Sequence, residues 1–187
     1  MKIVLASRSP RRKQLLEEAG FEVEVDVSNL DEKDVKKEDV IDLVMELAKL
    51  KVQIVAKRHP DSIIVGADTL VYFNGEEIGQ PVDEKDAEEI MNKLNGTTHE
   101  VVTGLYVVNT NNGKFSHEHE VSEVKLRKIN EEKIKEYITL GLYKGKAGAY
   151  NIDDPEFETF IESIKGPKSN VMGLPIEKVK EMINKVV

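Results

Sequence analysis

The chain has 187 residues, 40% of them hydrophobic and 33% charged, which is enough apolar material for a real core under a charged surface. Its 35 acidic against 27 basic residues leave a net charge of −8, a balance that argues against a general nucleic-acid binder because duplex contacts need a basic face. With no cysteine there is neither a disulfide framework nor a thiolate metal site, and no stretch reads as a membrane span or secretory leader, so the expectation is a cytoplasmic chain folded as a single domain, 1–187, or as two small lobes sharing a sheet.

In chain order, residues 2 to 6 read as a buried strand. Ser9 is a good helix N-cap with Pro10 at the first helical position, and that helix runs to a stop at Gly20. Residues 21 to 27 alternate apolar and acidic, which predicts a strand with one wet face, and residues 28 to 38 read as an acidic loop. Residues 39 to about 57 predict a long helix that ends before His59-Pro60. The run 62 to 73 is apolar apart from Gly66 and Asp68, and Asn74-Gly75 marks a tight hairpin turn after it. Asp83 caps a helix to Leu94, with Gly96 just beyond. Residues 99 to 108 and 114 to 127 read as strands joined by a turn at 110 to 113. Asn130 caps a helix that stops at Gly141, a glycine-rich loop follows at 144 to 152, and the last helix begins near Pro175. Such a mixture of βα units and hairpins predicts an α/β fold with a mixed sheet flanked by helices.

Four places break a local rule. The first turn of a helix favours acidic side chains, because its free N–H groups carry partial positive charge. In LASRSPRR (5–12), Arg11 and Arg12 occupy that turn instead, with Lys13 behind them. A solvated basic turn is one account. The other is an anion held by free N–H groups, the Ser7 and Ser9 hydroxyls and two guanidinium forks. Lys51 falls near the middle of the apolar arc made by Val44, Leu47, Ala48 and Val55, at about 100° per residue, where an ammonium must snorkel or meet an anion. Asp68 interrupts an apolar run, so it is either paired, cleft-facing, metal-bound or part of a surface turn between two short strands. The fourth break is KAGAYNI (146–152), where small residues around Lys146 and Tyr150 let backbone approach a ligand closely. His117 and His119 share a strand face without an evident third ligand and read as a solvated edge, and Asp153-Asp154 is ambiguous.

LASRSPRR (5–12), LAKLKV (47–52), GADTLV (66–71), the Pro81 region, LNGTTHEVVTG (94–104), KAGAYNI (146–152) and NVMGLP (170–175) together resemble the Maf family of nucleoside triphosphate pyrophosphatases, also called septum formation inhibitor proteins. The resemblance spans nearly the whole chain. It implies a curved mixed sheet flanked by helices, two lobes with a central cleft, and a homodimer. It implies hydrolysis of a nucleoside triphosphate to the monophosphate and pyrophosphate with a divalent cation, Mg²⁺ or Mn²⁺. It further implies a strand within residues 157 to 164, where the apolar spacing also fits a helix.

The implied site has Ser7, Arg11, Arg12, Lys51 and Asp68 at its centre, with Asp68, Lys51 and Arg12 catalytic. Arg11, Arg12 and Lys51 would clamp phosphates and Ser7 would orient one. Asp68 would act either as general base or, with Glu32, as ligand of a cation that holds the water. Thr69, Gln80, Lys146 and Asp153 complete the substrate-binding set. Two positions depart from the family pattern: Gln80 stands before Pro81 where the family has Lys, and Asp153 stands where it has Gln. SPRR together with ADT favours the branch acting on dTTP and UTP. The alternative is a nucleotide-binding regulator of cell division that does not hydrolyse what it binds.

Overall fold

The computed structural model describes residues 2–187, and Met1 lies outside the described residues. Seven strands form one sheet: β1 (Lys2–Leu5), β2 (Glu22–Val25), β3 (Ile63–Phe73), β4 (Glu76–Ile78), β5 (Thr98–Asn109), β6 (Phe115–Leu126) and β7 (Ile161–Lys165). The order is β2-β1-β3-β5-β6-β7, with β4 hydrogen-bonded to β3. β1 pairs in parallel with both β2 and β3, whereas β3–β4 and β6–β7 are antiparallel. The sheet is therefore mixed, as βα units interleaved with hairpins predict. The helices are α1 (Pro10–Glu18), α2 (Val40–Ala56), α3 (Glu84–Leu94), α4 (Glu131–Thr139), α5 (Pro155–Glu158), α6 (Lys168–Val171) and α7 (Ile176–Val186).

Two compact units divide the chain. The first takes the residues up to Thr69, then Val102–Glu120 and Met172–Val187; the second takes Leu70–Val101 and Val121–Val171. In the first unit, α1 and α7 cover one face of the strands through a core that includes Leu16, Val65, Ala67, Leu105, Met182 and Ile183. α2 covers the other face, packing Ala48, Val52 and Val55 against Val4, Ala6 and Ile64. Strand alternation produces this division, since Val65 and Ala67 face one way and Ile64, Gly66 and Asp68 the other. In the second unit, Tyr137, Tyr150, Phe157 and Phe160 form an aromatic cluster, with Tyr150 stacked on Phe157 at 4.4 Å between ring centres.

Helix starts follow the cap residues. The side chains of Ser9, Asp39, Asp83 and Asn130 each accept a hydrogen bond from an N–H in the first turn of the helix that follows. Asn74 and Gly75 both take positive φ, 51° and 83°, as a tight β3–β4 turn demands. Two alternatives left open by the sequence are decided, and one further element joins them. β3 runs unbroken through Gly66 and Asp68, so Asp68 is in a strand and not in a surface turn between two short ones. Residues 157 to 164 divide into the end of α5 and most of β7. α6, immediately before Met172, has no counterpart in the sequence reading.

α2 approaches the sheet closely because two glycines face it. A Cβ on Gly66 would collide with the Val52 side chain, and one on Gly104 would collide with the backbone of Val44 and Met45. The second collision is with helix backbone, so it cannot be relieved by a rotamer change. Gly104→Ala should therefore destabilise the chain by about 1–3 kcal/mol, seen as a lower midpoint in urea with an unchanged slope.

Candidate active site

The first unit gathers the basic turn and both buried charges. Beyond β1, Ser7 is buried and its Oγ accepts from the Ser9 N–H at 3.2 Å and from Arg12 Nη1 at 3.1 Å. Ser9 then caps α1, whose first turn contains no acid. Arg12 turns back into the protein. Its Nε donates to the Gly173 carbonyl at 2.8 Å, Nη1 to the Ala67 carbonyl at 2.8 Å, and Nη2 to Thr69 Oγ1 at 3.0 Å. Burial pulls the Arg12 pKa below its ordinary value, opposed by the negative charges of Asp68 and Glu32 and reinforced by Arg11. Arg8 is exposed and Arg11 half-buried, and neither side chain has a hydrogen-bond or ion-pair partner among the described residues.

On the α2 face, Asp68 and Lys51 are only 6% and 9% exposed, and Lys51 Nζ donates to Asp68 Oδ1 at 2.5 Å. The same ammonium lies 2.8 Å from Glu32 Oε1. Glu32 belongs to a single 3₁₀ turn, Glu32–Asp34, capped by Asp31, and its side chain is about half exposed. The acidic loop thus supplies a second carboxylate to the buried lysine. Lys51, Asp68 and Glu32 form one cluster.

Thr69 Oγ1 lies on the opposite face of β3 from Asp68. It bonds Arg12, contacts Thr103 Oγ1 at 2.9 Å and donates to the Gly173 carbonyl at 3.3 Å. Thr103 and Gly173 are absent from the sequence-derived site. Thr103 offered a signal, a hydroxyl inside the apolar run VVTGLYVV, and it is fully buried. His117 is no solvated edge: its ring meets Tyr106 edge-on at 5.1 Å and its Nε2 lies 3.0 Å from the Met45 carbonyl.

The second unit holds the remaining sequence-derived residues. Lys146 Nζ pairs with Asp154 Oδ2 at 2.9 Å, and Asp154 also accepts from Tyr137 Oη and from Asn151 Nδ2, each at 2.8 Å. Burial would raise the Asp154 pKa, but the hydrogen bonds from Lys146, Tyr137 and Asn151 outweigh it and leave the carboxyl below its ordinary range. Of the two adjacent acids, Asp154 is the one built into the fold. Asp153 is exposed, with its N–H donating to Asn151 Oδ1, and Gln80 is exposed as well.

Nearby in the same unit, His99 is 2% exposed and its Nε2 lies 2.5 Å from Tyr150 Oη, while Nδ1 lacks a partner among the described residues. Burial disfavours the imidazolium and lowers the His99 pKa from 6.5 to about 4. The unfolded chain takes up this proton at higher pH than the folded chain, so the associated stability is complete above pH 6.5 and is lost as pH falls toward about 4. His99→Gln should flatten that part of the curve of melting temperature against pH; an unchanged slope would remove His99 as its source.

Comparison with known proteins adds a further line of argument. Residues 2–186 match the family described as Maf-like protein. A dTTP/UTP pyrophosphatase of Alkaliphilus metalliredigens is 42% identical over 98% of this chain and 95% of its own length. Namesakes from Dictyoglomus thermophilum and Pyrococcus horikoshii are 39% and 38% identical over 98% and 97% of this chain, each over 95% of its own length. Among solved structures, the Staphylococcus aureus Ham1 protein aligns with a TM-score of 0.46 and 18% identity, covering 67% of this chain and 72% of that one. With the family pattern matched from one end to the other and the buried Lys51–Asp68 pair set among its motifs, the chain belongs to the Maf family.

Proposed function

We propose that this chain hydrolyses nucleoside triphosphates, dTTP and UTP by preference, to the monophosphate and pyrophosphate. The observation that carries this reading is the Lys51–Asp68–Glu32 cluster, tied to the basic turn by the hydrogen bonds of Arg12 to Ala67 and Thr69 on either side of Asp68. A carboxylate is sunk in a strand beside an ammonium, while Arg11 presents an unpaired guanidinium a few residues from Ser7.

Water attacks the α-phosphorus and pyrophosphate leaves, so negative charge grows on phosphoryl oxygens. Positioning and electrostatic stabilisation then supply most of the rate. Arg11 and Lys51 hold phosphate oxygens and Ser7 orients one. Asp68 Oδ1 is engaged by Lys51, which leaves Oδ2 to take the proton of the attacking water. Thr69, Gln80, Lys146 and Asp153 are assigned to the rest of the nucleotide. Gln80 and Asp153 replace a lysine and a glutamine of the family pattern, and both changes make the chain less positive there.

The donor set also fits a divalent cation. Two carboxylates, Asp68 and Glu32, converge on one positive group, and hard cations such as Mg²⁺ bind through one or two carboxylates plus substrate phosphates. Among the described residues no cluster of three or more such ligands exists, so phosphate oxygens and water would complete the coordination. A cation held there would neutralise charge on the phosphates. The same reading takes the working form to be a cytoplasmic homodimer.

The test is purified protein with Mg²⁺ or Mn²⁺ and a panel of standard and modified triphosphates, assayed for pyrophosphate and orthophosphate. Pyrophosphate from dTTP and UTP is expected. Orthophosphate alone would refute the bond assignment, and binding without product would favour a nucleotide-sensing regulator. Asp68→Asn should abolish turnover while the fold survives, because Lys51 keeps Glu32 and an amide oxygen; near-normal pyrophosphate release would sink the role given to Asp68. Chelation of divalent cations should stop the reaction and Mn²⁺ should restore it, whereas turnover indifferent to chelator would remove the cation.

A further inference from the structure

Arg12 stands in the basic turn but does not face the way a phosphate ligand should. A guanidinium has five N–H donors. In Arg12, Nε–H goes to the Gly173 carbonyl, Nη1 serves both the Ala67 carbonyl and Ser7 Oγ, and Nη2 reaches Thr69 Oγ1. Four donors are thus engaged by neutral acceptors within the protein, and one remains. Arg8 and Arg11, three and six positions beyond the end of β1 at Leu5, have no such partners among the described residues.

The acceptors share a property. Ala67 and Thr69 are the residues on either side of Asp68. Arg12 therefore grips β3 at both flanks of the carboxylate, from the face opposite to the one on which Asp68 meets Lys51. Its other bonds anchor that grip to the turn after β1, through Ser7, and to Gly173 at the head of the closing segment of the unit. Thr69 Oγ1 extends the network to Thr103 on β5 and to Gly173 again. The planar fork is what allows one side chain to reach four acceptors, and a lysine ammonium cannot reproduce that span.

We infer that Arg12 is a positioning residue for Asp68, and that Arg8 joins Arg11 and Lys51 in holding the polyphosphate. The inference deepens the pyrophosphatase reading of the same site and rests on it for the rate measurements. Its affinity arm does not depend on turnover. A displacement of about 1 Å at a reacting group costs about a hundredfold in rate. Loss of one charge-assisted phosphate contact weakens binding roughly ten- to a hundredfold.

The experiment compares the wild type with Arg8→Ala, Arg11→Ala, Arg12→Lys and Thr103→Val. It measures binding of inorganic pyrophosphate by calorimetry, kcat and KM for dTTP, and folding by circular dichroism. Arg12→Lys should keep the pyrophosphate Kd and the dTTP KM within about threefold, while kcat falls about a hundredfold. Arg8→Ala and Arg11→Ala should instead raise Kd and KM at least about tenfold, whatever the change in kcat. Thr103→Val removes a hydroxyl of the network without touching any charge; it should lower kcat at constant pyrophosphate affinity and stands in if Arg12→Lys does not fold. Loss of pyrophosphate affinity in Arg12→Lys equal to that in Arg11→Ala overturns the inference. So does a normal kcat in both Arg12→Lys and Thr103→Val. A wild type that binds pyrophosphate but releases none from any triphosphate defeats the pyrophosphatase reading, while the affinity comparison still decides which arginines hold phosphate.

Discussion

The ion pair between Lys51 and Asp68 is the interaction around which the first unit is organised. A buried pair of this kind recovers little more than its own desolvation, and two apolar side chains of the same volume would stabilise the unit at least as well. Valines at 51 and 68 would extend the packing of Val52, Val55 and Ile64 without interruption. The charges persist where stability does not call for them, and the close seat of α2 serves that arrangement. Gly66 and Gly104 bring helix backbone against the strands, which shortens the reach from Lys51 to a carboxylate in β3 to a direct hydrogen bond.

The electrostatics of this face are unbalanced by design of the sequence. Two carboxylates meet one ammonium, so the cluster of Asp68, Glu32 and Lys51 carries formal charge of one sign, and the arginine turn nearby carries the other. Neither charge is neutralised locally. Arg12 marks the boundary, since its guanidinium is spent on carbonyls and hydroxyls and its charge is balanced only at a distance. The result is a cluster of net negative charge close to a turn of net positive charge, with Arg8 and Arg11 of that turn unpaired among the described residues.

Much of this was legible in the sequence because it appeared as conflict with local rules. Helix caps and the Asn74-Gly75 turn state local geometry directly, and every capped start held to within a residue. Lys51 and Asp68 stood out because each put a charge in an apolar pattern; their pairing could not be read, since nothing in a helix and a strand seventeen positions apart specifies that they meet. The acceptors of Arg12 were invisible for a different reason. Backbone carbonyls at Ala67 and Gly173 have no side-chain signature, so a saturated arginine and a free one look alike in a string of letters. Residues 157 to 164 fitted both helix and strand because Phe157 and Phe160 have helical spacing that serves the aromatic cluster, while the strand begins at Ile161, where pairing with β6 takes over. Adjacent acids at 153 and 154 were equivalent until Lys146, Tyr137 and Asn151 selected one of them.

The bond from Arg12 to Gly173 joins residues 161 positions apart. Arg12 is made well before its acceptor, which arrives with the stretch Met172–Val187, and that stretch also carries α7, part of the cover over Ile3, Leu5, Val65 and Leu105. The whole of the second unit is synthesised in between. During translation the first unit must therefore wait with one face of its strands covered by α1 alone, a long-range closure that is slow by nature and leaves apolar surface open to other chains. α7 is made after every strand it covers, so a chain cut short before Met172 would leave the unit that holds Lys51 and Asp68, not the second unit, unfinished.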